Sequence, residues 1–374
     1  MILKSGSFQD MALQIKGSGS NIIIFGAGMI GTVTTPALLS EYHLGHRVSF
    51  YVDNDSCKWG RHIAVDGVEC PICSPDALRD MEGKSNILLL TLSRFSAVIS
   101  QLECMENLSN TLCYIIPMMC IENFKVSENR IVERQTREPL IPKVIHYMWL
   151  GRKEVPRAVQ SCIDSWKKYC PDYEIRRWDE SNYDIEKNDY MRQAYENKMY
   201  GFVPDYARLD ILYTYGGIYL DADVELVRSL DDMLYQNAFC SVEKWQTINF
   251  GGGSGSVRKS RAIGELLAAR EHLSFVDEHG KMNLNTCGYY DTTALQKFGY
   301  KVCGKMQKIL DLTIYPYDVF HSYDYMSGRV EKSINTYGIH HFNGGWLDET
   351  MKEANRRTSE EYERVSQLTA ANAI

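Results

Sequence analysis

The sequence lacks the features that would tie it to a bilayer, a nucleic acid or an oxidising compartment. It contains no run of ~18 apolar residues, so no membrane-crossing helix is expected. The opening stretch MILKSGSFQDMALQIKGSGSN carries no apolar core of the signal-peptide kind, and a cytoplasmic location is the expectation. Positive charge is not in excess. The formal net charge is -7, with Lys and Arg dispersed, so a phosphate-tracking surface and a nucleic-acid partner are not expected. The 11 cysteines are odd in number and scattered, which argues against a disulfide framework. Their one close pair, Cys70 and Cys73 in CPIC, has no second pair at the spacing a zinc site needs, and buried free thiols fit it better. Internal repeats and low-complexity blocks are absent as well.

What the chain does have is an ordinary globular composition, 44% hydrophobic and 24% charged, over 374 residues. At ~150 residues per domain, two domains are expected. The first spans residues 1–125. NIIIF at 21–25, RVSFYVDND, SNILLLTLS and TLCYIIP read as four strands alternating with helical segments, which implies a parallel α/β sheet. A polar stretch with two prolines reads as a linker over 126–140. A second α/β domain is expected over 141–350, and a charged, solvated helical tail over 351–374.

In the first domain Gly26, Gly28 and Gly31 follow a strand and open a helix in the pattern G-x-G-x-x-G. Glycines there let the backbone approach a pyrophosphate at a helix N-terminus, and Asp53 ends the next strand where a ribose-binding carboxylate would sit. Two readings stand side by side: a nucleotide site, and a turn built for docking or packing. The domain is short for a complete dinucleotide site, and no Tyr-x-x-x-Lys follows it. The stretch from FGAGMIG to CPICSPDAL is similar to small Rossmann-like domains found beside bacterial sugar-modifying enzymes.

The second domain holds GFVPDYARLDILYTYGGIYLDADVEL. Pro204 suits a first helical turn, Asp205 and Arg208 share a helix face, and Gly216-Gly217 end the helix. A short buried strand then releases Asp221 and Asp223 at its carboxyl end, the edge where open α/β sheets bind ligands. On an extended backbone those two side chains would point to opposite faces and serve different tasks, one toward a sugar or ribose and one toward a hard cation bridging phosphates. A solvated surface turn is the plainer alternative.

PDYARLDILYTYGGIYLDADV resembles the signature segment of glycosyltransferase family 32, shared with the large clostridial glucosylating toxins. IPKVIHYMWLG is similar to the first strand of such domains, and YGIHHFNGGWL to the closing strand; the three occur in the expected order. The resemblance implies a GT-A type nucleotide-sugar-binding domain beside the Rossmann-like one. It implies Asp221, Asp223 and His340 as ligands of Mn²⁺ or Mg²⁺, with His341 on the other face of its strand. It further implies Trp149 stacking on the base, Asp205 and Arg208 on the transferred sugar, Asn249 and Asp291 as further sugar contacts, and Trp346 near the diphosphate. The activity implied is retaining transfer of a hexose to a glycan or lipid-linked acceptor, as in surface-polysaccharide synthesis. UDP-hexose is the default donor and GDP-mannose stays open. A lipid-linked acceptor would bring the protein to the inner face of the membrane. The rival class is an NAD-dependent sugar-nucleotide oxidoreductase or epimerase working from the Gly-rich turn.

Overall fold

The structure is a computed structural model, and it describes residues 1–79, 85–126, 128–151, 154–342 and 349–371. The chain forms two compact units. One comprises Met1–Lys125, Tyr325–Gly328 and Asp348–Ile374; the other comprises Val126–Asp324 and Arg329–Leu347.

The first unit is built on strands β1 (Ile2–Lys4), β2 (Asn21–Phe25), β3 (Val48–Val52), β4 (His62–Val65), β5 (Val68–Cys73), β6 (Asn86–Leu90) and β7 (Leu112–Ile115). Their order is β1-β7-β6-β2-β3-β5-β4, and every pairing is parallel except β4 with β5. The four strands expected from apolar runs are present. The β4–β5 hairpin was not expected, although Asp66-Gly67 at its tip is a two-residue hairpin signal; both residues have positive φ, 49° and 79°. The helix Glu349–Ala371 departs from the expected solvated tail. Thr358, Tyr362 and Val365 form one face of it and are buried in this unit, a face masked in the sequence by the surrounding charges.

The second unit contains β8 (Val144–Met148), β9 (Glu174–Trp178), β10 (Gly217–Tyr219), β11 (Val224–Leu226), β12 (Ala238–Val242), β13 (Ile248–Asn249), β14 (Ser254–Ser256), β15 (Gln307–Ile309), β16 (Leu312–Tyr315), β17 (Tyr323–Asp324), β18 (Arg329–Val330) and β19 (Gly338–His340). The main sheet runs β15-β16-β12-β14-β10-β8-β9, with β13 on β12. β8, β9 and β10 are mutually parallel, and β12 lies antiparallel to β14 as β10 does. The carboxyl ends of β8, β10 and β12 therefore meet one edge. A separate two-stranded ribbon pairs β11 with β19. Residues 128–140, within the stretch expected as a linker over 126–140, are strapped onto this unit. Val132 and Ile141 are buried, and Gln135 and Leu140 donate backbone hydrogen bonds to Tyr235 and Leu234.

Candidate active site

Helix Pro204–Tyr215 delivers the site. It ends because Gly216 (φ 69°) and Gly217 (φ 94°) take conformations that other residues rarely adopt. A Cβ on Gly217 would meet His146 Nε2 at 2.9 Å. His146 pins this corner: Trp178 Nε1 donates to its Nδ1 at 3.1 Å, and its Nε2 lies 3.0 Å from the Gly216 carbonyl. Burial holds the imidazole neutral and pushes its pKa down to about 4.

Asp221 and Asp223 do not lie on an extended backbone, which corrects the expectation that they diverge. The Val224 N–H donates to the Asp221 carbonyl at 3.0 Å and closes a turn, because Val224 must pair with His340 in the β11–β19 ribbon. The turn brings both carboxylates to one imidazole. His340 Nε2 is 3.3 Å from Asp223 Oδ1 and 4.0 Å from Asp221 Oδ2. Burial would lower the pKa of His340, but the carboxylates of Asp223 and Asp221 outweigh it and the net shift is upward. The next residue, His341, turns to Glu225 at 3.0 Å.

Beside them lies a buried charge network. Arg208 Nη2 is 3.2 Å from Asp221 Oδ1 and 3.3 Å from Asp205 Oδ1, and its Nη1 is 3.4 Å from Cys287 Sγ. Arg208 is 4% exposed and Asp205 6% exposed, so this is an interior pair rather than a surface one. Burial raises the Asp205 carboxyl to about 6, against the pull of Arg208 and Arg270. Arg270 bonds Asp291 at 2.5 Å on a side of the network that carries no local sequence signal. Asn249 is committed inward. Its Nδ2 donates to Glu243 at 2.6 Å, and its Oδ1 accepts from the Gly251 and Gly252 N–H groups at 2.7 and 3.2 Å. The Gly251 carbonyl in turn accepts from Asp221 N–H at 2.7 Å, and a Cβ at Gly251 would strike the Asp221 carboxylate at 2.0 Å. Trp149 sits just beyond the carboxyl end of β8, half-buried, its N–H bonded to the Trp178 carbonyl at 2.9 Å. Trp346 lies outside the described residues.

Among the described residues no three His, Cys, Asp or Glu side chains form a ready-made metal cluster. The donor set at the DXD corner nevertheless fits a divalent ion. It offers hard carboxylate oxygens and one borderline imidazole nitrogen, and His340 Nδ1 is buried with no partner found among the described residues.

The Gly-rich turn of the first unit is arranged differently. Asp53 faces inward: its Oδ2 accepts from Ala27 N–H at 2.8 Å and from Lys58 Nζ at 2.9 Å, and its Oδ1 accepts from Asp55 N–H. A Cβ at Gly31 would meet the Gly26 carbonyl at 1.9 Å, while Gly28 has open space around it. Close helix–strand packing accounts for Gly31; Gly28 is left unexplained by packing.

A family model described as glycosyltransferase sugar-binding region containing DXD motif matches residues 156–240. Residues 156–240 of the second unit are thus similar to the sugar-binding region of DXD glycosyltransferases. The match includes Asp205, Arg208, Asp221 and Asp223; Trp149 and His340 lie outside it. Inositol phosphoceramide mannosyltransferase 3 of Schizosaccharomyces pombe is 41% identical over 107 residues, 26% of this chain and 29% of that protein. Mannosyl phosphorylinositol ceramide synthase SUR1 of Saccharomyces cerevisiae is 35% identical over 108 residues, 27% of each chain. The chain thus spans under a third of the length of these two relatives. A solved structure titled PaToxG Glycosyltransferase covers 43% of this chain and 70% of its own, at 19% identity and a TM-score of 0.34, a likeness too distant to carry a conclusion. No described helix is long and apolar enough to cross a membrane.

Proposed function

We propose that the second unit is a GT-A type domain that transfers a hexose from a nucleoside-diphosphate sugar to a hydroxyl of a glycan or lipid-linked acceptor. The observation that carries this is the convergence of Asp221, Asp223 and His340 at the end of β10, directly beside the Asp205–Arg208 pair. One half of that corner suits a cation-bridged diphosphate and the other suits sugar hydroxyls. Asp223, Asp221 and His340 are the groups that would hold Mn²⁺ or Mg²⁺, which neutralises charge on a departing diphosphate when bound. Asp205 and Arg208 bind hydroxyls of the transferred sugar. Trp149 gives the base a flat apolar platform at the same sheet edge, and a diphosphate contact is assigned to Trp346 by resemblance alone. Asn249 shapes the Gly251 loop against Asp221, and Asp291 fixes Arg270. The anomeric carbon passes through an oxocarbenium-like state. Attack comes from the leaving-group face with retention: the acceptor oxygen bonds to the anomeric carbon, and its proton passes to the departing diphosphate oxygen.

The names of the two yeast relatives weigh the donor toward a mannose-bearing nucleotide, GDP-mannose before UDP-hexose, and the acceptor toward a lipid carrying inositol phosphate. Such an acceptor implies peripheral association with a membrane surface. Surface-polysaccharide synthesis is the second setting, favoured by the pairing with a Rossmann-like unit. The test is a donor panel, scoring released nucleotide and glycosylated product with inositol phosphoceramide and with glycan acceptors. Product from GDP-mannose alone supports the mannosyl reading. Turnover of UDP-hexoses alone contradicts it, and no turnover of any sugar nucleotide contradicts the transferase reading itself.

A further inference from the structure

One carboxylate in the second unit belongs to neither half of the corner. Glu243 follows β12 at the same sheet edge as Asp221. Its backbone is pinned in a tight hairpin: its N–H donates to the Thr247 carbonyl, and its carbonyl accepts from Gln246 N–H, both at 2.8 Å. Its side chain is pinned as well. Oε1 accepts from Asn249 Nδ2 at 2.6 Å and Oε2 from Trp245 Nε1 at 3.0 Å, yet the residue is only half-buried. A carboxylate fixed at both oxygens, its pKa pushed upward by burial, is held in one direction for a partner nearby.

The surrounding faces say what that is. Ser241 and Asn249 are paired across β12 and β13, so they share a face, and Glu243 lies two residues beyond Ser241 on that same face. Ser241 Oγ is 2.9 Å from His321 Nδ1, and the His321 ring lies 5.4 Å from that of His340. On the other side, β13 is bonded to helix Cys287–Gln296 through Ile248 N–H and Thr292 Oγ1 at 2.9 Å. That helix carries Cys287 against Arg208 and Asp291 against Arg270. Glu243 therefore stands between the diphosphate half, with His340, and the sugar half, with Cys287 and Arg208. In a nucleoside-diphosphate sugar, the atom that joins those two halves is the anomeric carbon.

We infer that Glu243 faces the anomeric carbon of the bound donor and stabilises, electrostatically and without forming a covalent bond, the positive charge that develops there. The inference rests on the transferase reading above. Asn249 and Trp245 are positioning residues that hold the carboxylate in place.

The experiment measures donor-dependent nucleotide release and acceptor glycosylation by the full chain, wild type against Glu243→Gln, with circular dichroism and a melting curve for each. The expected result is a fall in kcat of about 10²–10³-fold with KM for the donor little changed, because the charge matters only as the barrier is climbed. Trp245→Phe, which removes one orienting hydrogen bond, should lower kcat by about tenfold. Should Glu243→Gln fail to fold, the Trp245→Phe result decides. An unchanged kcat in the folded Glu243→Gln protein, or a loss confined to KM, would overturn the inference. So would a hexosyl adduct on Glu243 found by mass spectrometry, since that makes it a nucleophile. If the wild type turned over no sugar nucleotide, the transferase reading would fail first, and the two failures are thereby told apart.

Discussion

The two units each present a glycine-rich corner with acidic residues at strand ends, and the corners differ in what those acids face. In the first unit Asp53 is turned back onto the protein, held by Ala27 N–H and Lys58. In the second, Asp221 and Asp223 are drawn together by a turn, and carboxylates, guanidinium groups and imidazole are set at one another's distance with polar atoms left over. Arg208 Nε and His340 Nδ1 are buried without a partner among the described residues. A sequence pattern alone does not separate these cases, because G-x-G-x-x-G and D-x-D both follow strands. What separates them is whether the protein satisfies its own charges.

The sharpest way to break this comparison is Arg208→Ala. It leaves Asp205 and Asp221 without their shared cation, at a cost of about 3–5 kcal/mol of stability, readable as a shifted urea midpoint. In the folded fraction, sugar transfer should be lost while a free nucleoside diphosphate still binds with Mn²⁺. Nucleotide affinity falling as far as activity would undo the assignment of Arg208 to the sugar.

Next in size is Asp223→Ala. It removes a single charge-stabilising group at the turn and should lower transfer by about 10²–10³-fold, with melting nearly unchanged. Full activity under saturating Mn²⁺ would remove Asp223 from the site.

The scaffold beneath the corner should show itself in pH. His146 has a folded pKa pushed down to about 4 from the ordinary 6.5. The folded state therefore binds fewer protons than the unfolded one between those values. The stability His146 supports is complete above about pH 6.5 and drains away as pH falls toward 4, by about 3 kcal/mol in all. Urea titrations across that window, compared with His146→Gln, test this; the variant should have the flatter profile. An equally steep profile in the variant would place the titration elsewhere.

The smallest effect belongs to the first unit. Asp53→Asn should leave sugar transfer unchanged and cost under about 1 kcal/mol, since Lys58 is 31% exposed and its ion pair is screened by solvent. A loss of transfer in this variant would mean that the two corners work together.

Much of this architecture is legible in the residues. The apolar runs at 21–25 and 86–90 become β2 and β6, and Pro204 with Gly216-Gly217 bounds the helix that leads to the D-x-D. What the sequence hides is set by distant partners. The turn at Asp221–Val224 exists because β11 pairs with β19, a strand near the other end of the unit, so local reading left the two carboxylates facing apart. Arg270 enters the charge network through Asp291, and no motif announces it. Glu243 acquires direction only from Trp245 and Asn249. The Asp66-Gly67 hairpin, by contrast, carries a local signal in its two-residue turn.

The central claim is that sugar transfer belongs to the DXD corner and not to the Gly-rich turn. Its most direct test is nucleoside diphosphate released from GDP-mannose or a UDP-hexose by the full chain, with no nicotinamide cofactor, first in chelator and then with Mn²⁺ restored. The same series is run on Asp53→Asn. We expect release to vanish in chelator, return with Mn²⁺, and follow an identical course in the variant. Release that persists without metal, or that Asp53→Asn abolishes, would contradict the account.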